Sequence, residues 1–194
     1  MGKITRDSLL PLEAYAKARS EMRARVMAHK ERRTVSLGAH VRLLFEDELT
    51  MRYQVQEMLR AERIFEEGGI QDELDAYNPL VPDGRNWKAT MMIEYTDVDE
   101  RRQWLERLIG IEDRVWVQVS GHAPVYAVAD EDLERENGEK TSSVHFVRFE
   151  LTPDMISDLR AGAPLAIGVD HPDYEESTEV PNDVRRALLE DLAA

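Results

Sequence analysis

The sequence predicts an α+β protein: a mostly antiparallel sheet with helices packed on one side and a long helix at the N-terminus. Three observations carry this. Apolar residues alternate strictly over short runs such as Val41, Leu43, Phe45 and Val115, Val117, Val119, the period of a half-buried strand. They recur at helical spacing over longer runs such as Leu12, Tyr15, Met22, Val26. Turn signals such as Gly121-His122 separate neighbouring strands by only a few residues, which favours hairpins.

Pro11 suits the first turn of a helix, and the spacing predicts one over 12–32, with Arg23, Arg25, Lys30, Arg32 and Arg33 mostly off its apolar stripe. Thr34 to Glu46 alternates as a strand whose wet face carries His40, Arg42 and Glu46. A polar turn over 46–48 then leads into a second strand over 50–54. The period changes to helical from Val55 to Glu67, with Val55, Met58, Leu59 and Phe65 on one face, and Gly68-Gly69 stops that helix before a short one over 70–77. After a loop built on Asn78-Pro79 and Pro82-Asp83-Gly84, a strand is expected over 88–95 and a helix capped by Asp97 runs to Ile109, where Gly110 ends it.

Strands over 114–120 and 124–129 form a hairpin with Val115, Val117 and Val119 inward. A strand over 143–151, a helix opened by Thr152-Pro153 and reaching Arg160, a strand over 164–169 and a helix over 180–192 complete the chain. All of 1–194 is assigned to one α+β domain, with 1–33 as a basic helical arm and 130–142 as an acidic surface loop. The run DEDLERENGEK in that loop holds almost nothing apolar to bury.

The chain has no cysteine. Disulfides, thiolate metal sites, a cysteine nucleophile and direct ligation of an iron–sulfur cluster are therefore excluded, and any metal must be held by His, Asp or Glu. The net charge is −14. Residues 1–33 hold 9 Lys/Arg and 4 Asp/Glu, a balance of +5, which leaves −19 on the rest. Nucleic acid is a poor partner for such a body. The basic arm is expected to pack on its own acidic body or on a second subunit of an oligomer, with contact to RNA or anionic lipid as the sharper alternative. No apolar run is long enough to span a membrane and the start lacks the apolar core of a secretion signal, so no membrane contact and a cytoplasmic location are expected.

The candidate polar set is Glu57, Arg60, Glu62, Glu94, His40 and His145. Glu62 falls among Met58, Leu59 and Phe65 on the helical wheel, and a carboxylate inside an apolar stripe must be paired, protonated or metal-bound. One reading makes it a ligand or general base; the other pairs it with Arg42 or Arg148 to lock its helix on the sheet. His145 alternates with Val147, Phe149 and Leu151 and so faces the core or a cleft beside it; His40 lies on the wet face of the first hairpin. His171, in VDHPDY, ends a strand and shapes a turn, while His29 and His122 read as exposed. If His40, His145 or His171 approached Glu57, Glu62 or Glu94, a mixed site suited to iron, manganese or zinc would result. The chain has no HExxH, no phosphate-cradling glycine loop and no GxSxG elbow.

The blocks QEMLRAERI, ELDAYNPLVP and ATMMIEY, followed by VWVQV, VHFVRFELTP and VDHPDY, resemble the bacterial family catalogued as domain of unknown function 3501, over nearly the whole chain. Glu57, Arg60, Glu62, Arg63, Tyr77, Asn78 and Glu94 are motif positions of that likeness. The resemblance implies no assigned activity and no established catalytic residues. It does imply a setting, since members are often encoded beside a rubrerythrin and an iron–sulfur oxidoreductase. Two functions follow as expectations: an accessory or interaction protein of a cytoplasmic redox or peroxide-stress system, with those neighbours as partners, or a metal-binding protein or enzyme with a His/carboxylate site.

Overall fold

The computed structural model describes residues 2–129 and 140–193. Two antiparallel sheets carry the fold. In the first, β1 (Thr34–Leu37), β2 (Val41–Phe45), β3 (Asn86–Ile93), β7 (Val144–Glu150) and β6 (Val128–Ala129) lie side by side in that order. In the second the order is β5 (Val125–Tyr126), β4 (Val115–Val119), β8 (Leu165–His171), β9 (Tyr174–Glu179). Only Ala127 separates β5 from β6, and its N–H donates to the Val115 carbonyl at 2.8 Å. One short segment thus passes from sheet to sheet. At the opposite margin the Tyr174 hydroxyl donates to the Leu37 carbonyl at 2.6 Å and accepts the His40 N–H at 3.1 Å, which ties β9 to the β1–β2 turn.

Alternation builds the core between the sheets. Leu43, Phe45, Met91, Val147 and Phe149 from the first sheet meet Val115, Val117, Val119, Leu165, Ile167 and Val169 from the second, all buried. Helices α5 (Pro153–Arg160) and α6 (Asn182–Leu189) close one end with Leu159 and Leu188, where Trp87 Nε1 donates to the Leu188 carbonyl at 2.9 Å. The other end is closed by α4 (Val98–Arg107) and the turn Ile111–Arg114, through Leu105, Leu108 and Ile111. Helices α1 (Leu12–Glu31), α2 (Glu48–Ala61) and α3 (Glu67–Tyr77) bury their own clusters, Met51, Val55, Leu59 and Leu74 in one and Tyr15, Val26 and Tyr53 in the other. The α+β class, the antiparallel pairing and the long first helix are as expected. Alternation tells which side chains face inward but not which strands share a sheet, so the division into two sheets appears only in three dimensions.

Four expectations change in detail. The run 34–46 is two strands, because Gly38 turns the chain at φ 63, a left-handed conformation that glycine adopts without cost. The strand expected over 50–54 is the first half of α2. Asp47 accepts the Thr50 N–H and the Thr50 hydroxyl accepts the Asp47 N–H, both at 2.9 Å, a reciprocal cap that starts a helix. That helix ends at Ala61, and Arg63 takes φ 56, so the apolar stripe does not continue to Phe65, which is 68% exposed. Finally, β9 was not expected, because its sequence YEESTE lacks alternation; as an edge strand it buries little. Of the acidic loop expected over 130–142, positions 130–139 lie outside the described residues. Thr141 is buried, its N–H donating to the Leu105 carbonyl at 3.0 Å.

Candidate functional site

His40 and Glu94 are the two candidates that the fold brings together. His40 follows the Gly38 turn, and its ring stacks on Tyr95 at 4.0 Å. Its Nδ1 lies 2.9 Å from the Glu94 backbone carbonyl and so carries the proton of that bond. The Glu94 carboxylate accepts from Arg42 instead. The stack continues: Tyr95 lies parallel to Trp104 at 5.7 Å, the Arg107 guanidinium sits 4.5 Å over the Trp104 ring, and Arg107 also pairs with Asp173. Burial pushes the Tyr95 phenol up to about 12. This four-layer ladder joins the β1–β2 turn, the end of β3, α4 and the β8–β9 turn. The His40 Nδ1 proton goes to the Glu94 carbonyl, the Arg107 guanidinium to Asp173, and the buried Tyr95 hydroxyl has no hydrogen-bond partner among the described residues, which suits a rigid support better than proton transfer.

His145 lies inside the same end of the core, fully buried. Its Nε2 is 3.0 Å from the Ser142 carbonyl and 2.9 Å from the Thr141 hydroxyl, which donates to Glu112 Oε2 at 3.3 Å. A chain of hydrogen bonds from imidazole through hydroxyl to carboxylate satisfies groups that burial would otherwise penalise.

Glu57 belongs to the seam between α1 and α2. Arg19 grips both its oxygens at 2.7 Å, and the Tyr15 hydroxyl donates to it at 2.6 Å. The Arg19 bonds hold its carboxyl down at about 2 in spite of partial burial. Arg60 is exposed on the same helix. Glu62 corrects the sequence reading: it is exposed at the C-terminal cap of α2, while Arg42 pairs with Glu94 and Arg148 with Glu150. Its position on the wheel pointed inward only for a helix running to 67. His171 forms the β8–β9 turn, accepting the Asp173 N–H at 3.2 Å. His29 and His122 are partnered rather than free, by Asp47 at 2.6 Å and Asp158 at 2.7 Å. Among the described residues no three His, Asp or Glu side chains come together in a way that could hold a metal ion.

The densest buried charge was not read from the sequence. Arg33, 1% exposed, leaves the end of α1 and donates from Nε to the Phe45 carbonyl at 2.9 Å and from its terminal nitrogens to the carbonyls of Ala187 and Glu46 and to the Asp191 carboxylate. Asp47 lies 3.6 Å from the same guanidinium. Burial pushes Asp47 up, but Arg33, the Thr50 N–H and His29 together hold it below its ordinary value. Burial wins at Asp191, which is raised to about 7 against the pull of Arg33. It also raises Glu46, over the opposing hydroxyls of Thr50 and Thr90. No local signal marks such a set, since Arg33 and Asp191 are 158 positions apart.

The outer face of the second sheet is open. The pairings Trp116↔Tyr126, Trp116↔Gly168 and Gly168↔Ser177 set those four residues in one row across it, and Asp170↔Glu175 sets two carboxylates in an adjoining row. Tyr126 is 44% exposed, Glu175, Ser177 and Glu179 are exposed, and Trp116 is half-buried. A cleft of about 350 Å³ is lined by Trp116, Asp170, Glu175, Glu176 and Ser177 among others.

A family model described as "Protein of unknown function (DUF3501)" matches residues 3–192. Among solved structures the chain is similar to a protein described as a novel protein of unknown function from Burkholderia pseudomallei K96243. The two are 61% identical, the match covers 99% of this chain and 100% of that one, and the TM-score is 0.94. No curated protein matches the chain.

Proposed function

The chain belongs to the DUF3501 family of proteins of unknown function, and from that premise we propose that it works as an accessory protein that docks other proteins by charge. The observation that carries this reading is the open face of the second sheet, where Trp116 and Tyr126 stand beside Asp170, Glu175 and Glu179 on a chain of net charge −14. Acidic faces of this kind steer and orient a partner. Of the His and carboxylate groups of the competing reading, Glu57 is engaged with Arg19, Glu94 with Arg42 and His145 with Thr141, and His40 donates to the backbone carbonyl of Glu94 rather than to its carboxylate, which favours docking over metal-assisted chemistry.

A cytoplasmic redox or peroxide-stress system is the setting we propose, on the strength of the family resemblance. With no cysteine, the protein would assist electron carriers rather than hold a cysteine-bound cluster itself. The test is calorimetric titration of the full chain with a purified rubrerythrin and an iron–sulfur oxidoreductase from the same cell, the kinds of protein often encoded beside members of the family. Saturable association is expected with one of them, weakening by about tenfold as salt rises from ~0.05 to ~0.3 M. Absence of binding at low salt to both would overturn the proposal.

A further inference from the structure

We propose that the cleft beside Trp116 is an arginine-recognition site, in which the guanidinium of a basic segment on a partner protein stacks on the indole and pairs with Glu175 beside the charge of Asp170. The inference rests on the docking role proposed above and names the group that the face would recognise.

The ring is held in place by a glycine that the backbone does not require. Gly168 lies in the middle of β8 without a positive φ, where glycine is unfavourable relative to alanine by roughly 0.5–1 kcal/mol. What it accommodates is Trp116. A Cβ at position 168 would lie 2.3 Å from Cζ2 and 2.6 Å from Cε2 of the indole, so any other residue would lift the ring off the sheet. The indole is therefore seated on the β8 backbone, and a planar cation can stack on its open face.

The carboxylates are placed to complete such a site. Asp170 follows Gly168 on the same face of β8, and Glu175 stands opposite it on β9. Tyr126 donates to Asp170 Oδ2 at 2.6 Å, and Asp170 Oδ1, buried and without a hydrogen bond among the described residues, lies 4.0 Å from Arg114, so Asp170 supplies negative charge beside the ring while the exposed Glu175 is the carboxylate open to a direct bond. The carboxylates of Glu175 and Glu176 make no hydrogen bond or ion pair among the described residues. An exposed carboxylate beside an aromatic face suits arginine better than lysine, because a planar fork can stack and donate at the same time. The cleft is an open groove on a sheet face rather than an enclosed cavity, so it would leave most of a free amino acid in water. A side chain presented by a protein meets that geometry, and the excess of acid on β9, with Glu176 at the cleft and Glu179 beyond it, favours further basic residues around it.

The probe is a short glycine-flanked peptide with one arginine, compared with its citrulline twin, which keeps the shape and loses the charge. Binding to the full chain is followed through the three indole N–H resonances, those of Trp87, Trp104 and Trp116, with the Trp116 signal assigned from Trp116→Phe. The arginine peptide is expected to move the Trp116 resonance saturably, leave Trp87 and Trp104 in place, and bind about tenfold tighter than the citrulline peptide. Glu175→Gln is expected to weaken it several-fold without changing the other two indoles, and Trp116→Ala to abolish binding. Equal binding of the two peptides, or no movement of Trp116 at millimolar peptide, would overturn the site. So would a concentration-dependent dimer that Trp116→Ala dissolves, because the occupant would then be a second copy. If the arginine peptide fails while the redox proteins still bind, the anchor is wrong and the docking role stands; if it binds and they do not, the docking role alone is lost.

Discussion

Among the arginine–carboxylate pairs that tie α1 to the rest of the molecule, Arg19–Glu57 and Arg33–Asp191 displace their carboxylates in opposite directions. At the seam with α2, Arg19 forks onto Glu57, whose side chain is 21% exposed, and the carboxyl is held at about 2. At the end of α1, Arg33 pairs with Asp191, both side chains are 1% exposed, and the carboxyl rises to about 7. An arginine partner alone therefore does not fix the sign. Where water still reaches the pair, two charge-assisted bonds and a tyrosine hydroxyl outweigh a modest desolvation; where it does not, desolvation outweighs the partner. The seam adds stability at neutral pH, while the junction mainly fixes where the C-terminal residues sit against α1 and β2.

The largest expected effect comes from breaking the junction on one side. Arg33→Met leaves Asp47 and Asp191 buried without their cation and should lower the unfolding free energy by ~3–5 kcal/mol. Urea unfolding checks this, and the double variant Arg33→Met/Asp191→Leu should recover much of the loss. A loss below ~1 kcal/mol for the single variant would show that the buried charges are compensated elsewhere.

Next in size is the dependence on pH, where the two regions should pull apart. Asp191 has a folded value of about 7, above its unfolded value of about 3.9, so its contribution is fully present below about pH 4 and is lost as pH rises through about 7. Its neighbours Arg33, Asp47 and Glu190 share in setting that value. Glu57 runs the other way: its folded value of about 2 lies below the unfolded one of about 4.3. Its contribution is present above pH ~4.3 and lost as pH falls through about 2. Stability curves from pH 2 to 8 should lose their alkaline decline in Asp191→Asn and part of their acid decline in Glu57→Gln. If Asp191→Asn keeps the full decline between pH 5 and 8, the assignment to Asp191 fails.

At neutral pH, Glu57→Gln should cost about 1–2 kcal/mol. That is the range for hydrogen bonds to a charged group, reduced because the pair is partly solvated. A thermal melt compared with Arg19→Gln and the double variant isolates the coupling. The smallest effect is expected at Glu62. It is exposed at a helix end, so Glu62→Gln should change stability by less than ~0.5 kcal/mol. A loss of several kcal/mol there would restore the inward placement suggested by helical spacing.

The sequence by itself determined the elements that depend on short-range pattern: α1, expected over 12–32 and found over Leu12–Glu31, the inward valines of β4, the hairpin around Gly121, and Asp97 capping α4, where its side chain accepts the N–H groups of Asp99 and Glu100. Each follows from a period or a cap readable within a few residues. It misplaced the start and end of α2, because the acidic stretch Glu46-Asp47-Glu48 reads equally as a turn between two strands and as a helix cap, and no Gly or Pro marks the stop at Ala61. That error carried Glu62 inward with the stripe. Only the tertiary structure decided how the strands divide between two sheets, that Arg33 meets Asp191 across 158 positions, and that Trp116 rests on Gly168. Those contacts depend on chain closure and on the balance between burial and charge. Neither leaves a local period to read, so the candidate site had to come from the fold.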